Sequence, residues 1–465
     1  MTKKASIYYF SLTDEMLRTD KLAWFDNTKF KHIEFDKILP DEKGNWLNLT
    51  DNDFESLLPV CDKEKEAIFK FSSLGVSTNR DEWVYDFSKE SLTKKMQFFI
   101  KTYTELLKNN DDSWNESIKW SRDLKKKFQQ KKLLQFNTEL IKQANYRPFI
   151  KEAWYAEKIL NDILTQNHYD IFGKELDKEN FVICFSGQAS TKLFQCLVVN
   201  QLSGLDFLEK TQCLPLYIYD KDGNRHDNIT DWALNEFKSY YENPPQSPFN
   251  KGGGNNVPPF NKEGGNNISP FDKEGGNNIP PFFKGGTGGI SKLDIFHYVY
   301  AVLHNPEYRT KYELNLKREF PRIPFYADFF QWANWGKQLM ELHLHYETIA
   351  PFPLKRHDLN PPESSFNKAK LKADKINGVI ILDDNTTLSG VPIQAWEYKL
   401  GNRSALEWVL DQYKEKKPKD PTIAQKFNIY KFADYKEQVI DLLMKVCAVS
   451  LETLMITEAM KNQTR

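Results

Sequence analysis

Hydrophobic and polar positions along the 465-residue chain change period repeatedly, and each change predicts an element. Alternation over residues 5–12 predicts a strand, and Thr13-Asp-Glu predicts the start of a short helix running to about residue 25. Helical spacing follows over 89–107 and over 116–144. Short β-rich runs at 181–186, 197–201 and 214–219 predict strands, and Asp222-Gly223 after the last predicts a hairpin turn. Helical spacing returns over 293–304, 306–320 and 326–347. A strand is predicted over 378–382, with Asn385-Thr-Thr as a turn, and a long amphipathic helix over 434–460. Strands and helices mix without regular βαβ alternation. The predicted class is therefore α+β, with helical and short-stranded lobes.

The pattern collapses over 242–289, where Val257-Pro-Pro-Phe-Asn-Lys-Glu-Gly-Gly-Asn-Asn267 and its neighbours repeat an 11-residue unit. Each unit brings one Phe and at most one small aliphatic to any shared core, while its Gly and Pro oppose regular hydrogen bonding. A disordered low-complexity insert is expected there. It divides the chain into 1–145, an α/β-helical segment ending in a basic helix; 146–241 joined with 290–420; and 421–465, a helical tail. Aromatic residues at 14% exclude wholesale disorder. Lys plus Arg (64) balances Asp plus Glu (64), so only local basic faces, not global charge, can argue for a polyanionic partner. Cys61, Cys184, Cys196, Cys213 and Cys447 are odd in number and scattered, which predicts reduced thiols. With no apolar run of roughly 20 residues and no signal-like start, a cytoplasmic protein without a membrane partner is expected.

Several short motifs invite chemistry. Asn243-Pro-Pro-Gln246 and Asn360-Pro-Pro-Glu363 approach the Asn-Pro-Pro-aromatic loop of amino methyltransferases but lack the ring that stacks on a flipped base, so turns are expected. Glu397-Tyr398-Lys399 behind Asp383 and Asp384 matches a loose nuclease pattern, in which two carboxylates hold a divalent ion. His343, His345 and Glu347 offer metal ligands at helical or strand spacing, against the commoner role of packed histidines. From Lys119 to Lys132 there are seven cations (Lys119, Arg122, Lys125, Lys126, Lys127, Lys131, Lys132) and one anion, Asp123. A solvated helix face and a phosphate-contacting face explain them equally. Asn305 can cap a helix whose Tyr308, Tyr312, Leu316 and Phe320 share one arc, with Lys311, Lys317 and Arg318 largely opposite.

Four blocks carry a resemblance: Gly75-Val-Ser-Thr-Asn-Arg-Asp-Glu-Trp-Val-Tyr85, Tyr146-Arg-Pro-Phe149, the stretch from Asp294 to Phe325, and the stretch from Trp396 to Tyr413. In this order they resemble the C-terminal specificity region of type ISP restriction–modification enzymes and related adenine-specific DNA methyltransferases. The resemblance implies a target-recognition module for double-stranded DNA, with 146–241 and 290–420 as its recognition domain. The last edge of a methyltransferase core would lie at 5–46. It implies no catalysis by the chain itself. S-adenosylmethionine, ATP and Mg²⁺ belong to the family's upstream nuclease, translocase and methyltransferase parts, supplied by a separate polypeptide or lost. The family-like blocks nominate Asn79, Arg80, Arg147, Lys311, Arg318, Arg322 and Arg403 as DNA-binding residues, each weighed against a role in clamping a loop or carboxylate. The competing readings are a complete or divergent DNA methyltransferase or nuclease, and a remnant of a decayed restriction system that binds no DNA.

Overall fold

A computed structural model describes residues 5–13, 16–40, 46, 52–62, 64–242, 289–359 and 368–465. The repeats within 243–288, both Asn-Pro-Pro motifs and the Asp14-Glu15 helix start fall outside the described residues. From the N-terminus, β1 (Ile7–Tyr9), α1 (Arg18–Asn27) and β2 (Asp36–Ile38) form a small unit in which β1 pairs with β2. α1 buries no residue, and Leu22, Phe25, Phe30 and Leu39 stay exposed. β3 (Ser73–Leu74) and β4 (Tyr85–Asp86) lead into α2 (Lys89–Lys108) and α3 (Arg122–Gln129). β5 (Ile141–Arg147) and β6 (Ile150–Tyr155) follow as a hairpin, then β7 (Val182–Phe185), β8 (Cys196–Val199) and β9 (Gln212–Pro215).

α4 (Asp231–Tyr241) ends where the repeats begin, and α5 (Lys292–Val302) starts just after they end. The two borders meet, because the Ile290 amide donates to Glu242 Oε1 at 2.9 Å. α6 (Pro306–Lys311), α7 (Glu313–Arg318) and α8 (Phe329–Leu344) complete this helical layer. The C-terminal part holds β10 (Lys355–Asp358), β11 (Ala369–Asp374), β12 (Val379–Asp383), β13 (Thr386–Ser389), α9 (Ala405–Gln412) and α10 (Lys436–Ala459).

The architecture follows from the antiparallel sheet β3-β9-β7-β8, which is apolar on both faces. Side chains alternate across a strand, so Val182, Cys184, Leu197, Val199 and Cys213 enter one core while Ile183, Phe185, Cys196, Val198 and Leu214 enter another. A strand buried on both faces reads as an unbroken hydrophobic run. The second core is covered by α5 and α8. The first takes in α2, the β4-β6-β5 sheet and the C-terminal elements, so the expected borders at 145/146 and 420/421 run through one continuous core.

Two predicted helices are shorter than expected. The stretch 116–144 is α-helical only in α3, with one 3-10 turn at Thr138–Leu140. Lys131 turns left-handed (φ 54°) and closes it, with the Lys132 amide donating to the Lys127 carbonyl at 3.1 Å. Beyond it, 141–147 pairs with β6, so ladder bonds and burial override a helix-favouring composition. The stretch 306–320 breaks at Tyr312, whose hydroxyl donates to Asp53 Oδ1 at 2.6 Å. Its apolar arc is as expected, with Tyr308, Tyr312 and Leu316 buried. The run 214–219 divides at Leu216 into β9 and a separate strand, Tyr217–Tyr219, which pairs with Arg225–Asp227 around Gly223. The five cysteines are free thiols. Among the described residues no helix is long and apolar enough to cross a membrane.

Candidate functional site

The block 75–85 runs through a turn at Asn79 into a one-turn helix, Asp81–Val84, and its residue types have physical reasons. A Cβ on Gly75 would lie 2.6 Å from the Gly204 carbonyl oxygen, so only glycine permits this approach. The approach is fixed by backbone bonds from the Val76 amide to the Ser203 carbonyl (2.9 Å) and from the Leu205 amide to the Val76 carbonyl (2.7 Å). Thr78 bonds the Asp81 carboxylate and accepts the Arg80 amide. Asn79 takes the left-handed conformation (φ 53°), which Asn tolerates better than most residues. Its amide donates to Asp162 Oδ2 at 2.7 Å.

Arg80 is buried, and its guanidinium is spent on internal partners: the Leu160 carbonyl, Ser121 Oγ at 2.6 Å and Asp162 Oδ1 at 3.0 Å. The nomination of Arg80 as a duplex contact is corrected accordingly, because its side chain has no exposed surface to offer. It acts as a clamp. Ser121 is also the N-cap of α3, so the Arg80–Asp162–Ser121 network fastens the basic helix to the Asn79 turn.

Beside this turn lies a cleft of about 180 Å³ lined by Ser77, Asn79, Asp81, Tyr146, Arg147 and Asp206, among others. Arg147 stacks over the Tyr146 ring at 4.0 Å and stands 3.7 Å from Asp81. Behind it Glu152 is buried, and desolvation pushes its carboxyl up to about 8 although Lys95 and Arg147 pull the other way. A neighbouring concavity of about 520 Å³ shares Asn79 and Asp81 and adds Trp83, Trp114, Lys119, Trp120 and Asp420. A third, of about 770 Å³, shares Trp120 and is walled by Arg122, Lys125, Lys126, Gln129 and Asp162. The first two hollows therefore share Asn79 and Asp81, and the last two share Trp120. Asn79 and Arg147 were legible as family-like blocks. Asp206, reached only because the 200–211 connection folds back onto Val76, carried no sequence signal.

A family model described as the type ISP C-terminal specificity domain matches residues 67–442. The chain belongs to this family. Among solved structures it is similar to a DrdV–DNA complex determined by cryo-electron microscopy, at 40% identity and TM-score 0.78, over 99% of this chain and 44% of that one. It is also similar to a nuclease-deletion mutant of the type ISP restriction–modification enzyme LlaGI with a DNA substrate mimic, at 26% identity and TM-score 0.70, over 99% of this chain and 33% of that one. The fold alone is shared with the type ISP enzyme LlaBIII bound to DNA, at 23% identity and TM-score 0.69, over 92% of this chain and 26% of that one. The chain therefore spans less than half the length of these relatives. No curated protein matches it.

The remaining nominated residues of this type ISP specificity chain lie apart from the Asn79 cleft. Lys311 pairs with Asp53 at 2.7 Å. Arg322 is mostly buried and is held by Glu55 at 3.1 Å and Glu319 at 3.8 Å. Arg403 stacks over Trp408 at 4.9 Å and pairs with Asp411 at 3.3 Å. Arg318 is exposed, with no ion-pair partner among the described residues. The metal and nuclease motifs are not assembled as sites. His343 engages both ring nitrogens, with Tyr300 at 2.6 Å and Thr453 at 3.0 Å. Asp383 is tied to Lys436 at 2.7 Å. Among the described residues no group of three or more His, Cys, Asp or Glu side chains is placed to hold a metal ion.

Proposed function

We propose that this chain is the target-recognition part of a type ISP restriction–modification system and reads double-stranded DNA at the Asn79–Arg147 cleft. The observation that carries the reading is that this polar cleft shares Asn79 and Asp81 with a hollow that in turn shares Trp120 with a cation-lined groove. The relatives solved as DNA complexes support it. The donors of Asn79 and Arg147 suit purine edges, and the carboxylates of Asp81 and Asp206 suit the amino groups of cytosine or adenine. Catalysis, adenine-N6 methylation with linked restriction, belongs to a portion that this chain does not supply. S-adenosylmethionine, ATP and Mg²⁺ go with that portion. The uncovered apolar side chains of 16–40 support its docking there, whether it is joined to this chain or separate.

Selection from a randomised duplex library tests the reading. The expected result is enrichment of one short sequence by the full chain, lost in Asn79→Ala/Arg147→Ala. Equal recovery of all sequences by the wild type would refute it.

A further inference from the structure

The cations of this molecule divide into two populations. Of those on α6, α7 and the strand that follows, Lys311 is committed to Asp53, Lys317 to Glu313 and Arg322 to Glu55 and Glu319, Arg309 donates to the Leu303 carbonyl, and Arg318 alone is exposed without an ion-pair partner among the described residues. Those between 119 and 132 are largely uncommitted. Lys127 pairs with Asp123 at 2.5 Å and reaches the Lys158 and Ile159 carbonyls, and Lys125 lies 4.6 Å over the Trp114 ring. Lys119, Arg122, Lys126, Lys131 and Lys132 are exposed and have no ion-pair partner among the described residues.

Their placement is not random. α3 buries Leu124 and Phe128 in the first core, which turns Arg122, Lys126 and Gln129 outward at i, i+4 and i+7 along the groove wall. Ser121 caps the helix and, through Asp162 and Arg80, fixes its start against the Asn79 turn. Carboxylates around the neighbouring hollow accept local donors: Glu82 takes the Lys419 and Asp420 amides, and Asp420 takes the Trp83 indole. A rigid row of unpaired cations beside a polar cleft therefore confronts solvent with charge that the protein itself leaves unneutralised.

Resting on the DNA reading above, we infer that Lys119, Arg122, Lys126, Lys131 and Lys132 form a phosphate track that grips one strand of the duplex. The α6–α7 surface contributes little to that grip. The track supplies affinity without sequence information, and it sets the register in which the Asn79–Arg147 cleft meets base edges.

Duplex binding by the full chain, measured from 50 to 300 mM salt, tests the inference (~50–300 mM spans the steep part of the counterion-release response). Lys119→Ala/Arg122→Ala/Lys126→Ala should flatten the log–log salt slope by about 2.7, at about 0.9 per phosphate lost, and weaken binding roughly tenfold or more on every sequence alike. Its melting temperature should stay at the wild-type value, because these side chains hold no other part of the protein. Lys311→Ala/Arg318→Ala should leave slope and affinity nearly unchanged. If the wild type binds DNA but the triple variant keeps its slope, the track is wrong while the DNA reading stands. If the wild type binds no duplex even at low salt, the DNA reading itself fails and takes the track with it.

Discussion

At the residue scale, the family-like blocks hold side chains with opposite fates. Arg80 and Asn79 are neighbours in sequence, yet one guanidinium is enclosed while the adjacent amide lines a cleft. Arg80→Ala would leave Asp162 partly buried and without its cation, so a loss of about 3–5 kcal/mol is expected in urea denaturation. Glu152 gives a pH signature. Burial raises its folded-state pKa from 4.5 to about 8. Between those values the folded protein keeps a proton that the unfolded chain has released, so stability falls as pH rises through that window and levels off above it. Glu152→Gln should match wild type near the low end of the window. At its upper end the variant should be more stable, on the order of 3 kcal/mol, when the two are compared by denaturation at both ends. An unchanged difference across the window would show that Glu152 ionises normally.

At the scale of elements, close approach decides more than propensity does. α5 and α8 cross so tightly that a Cβ on Gly336 would collide with the His297 carbonyl oxygen. Gly336→Ala adds helix propensity on paper but should destabilise by about 3 kcal/mol, since backbone cannot yield as a flexible side chain would. A raised melting temperature in that variant would contradict this packing. The lengths of α3 and β5 make the same point. A Lys- and Gln-rich stretch with few breakers reads as one long helix, but the chain leaves the helix at Lys131 and hydrogen bonding to β6 claims its last residues, 141–144.

At the scale of the molecule, one sheet with two apolar faces joins sequence-distant segments into a single recognition body. The two described borders of the repeats meet at one point, between Glu242 and Ile290. Replacing 243–288 with a short Gly/Ser linker should therefore leave the melting temperature within a few degrees and duplex affinity within about twofold. A collapse of either would show that the repeats take part in folding or binding.

The sequence by itself determined the α+β class, most of the longer helices, five of the strands and, through its resemblance, the family. The elements rest on periodicity and capping that act within a few residues, and the family on motif blocks that keep their order along the chain. Only the tertiary structure decided which cations face solvent. Pairing with Asp53, Glu55 or Asp162 depends on segments tens to hundreds of residues apart. The same holds for Asp206, brought to the cleft by the fold-back onto Val76, and for the basic run, whose Leu124 and Phe128 are buried while Arg122 and Lys126 line a groove.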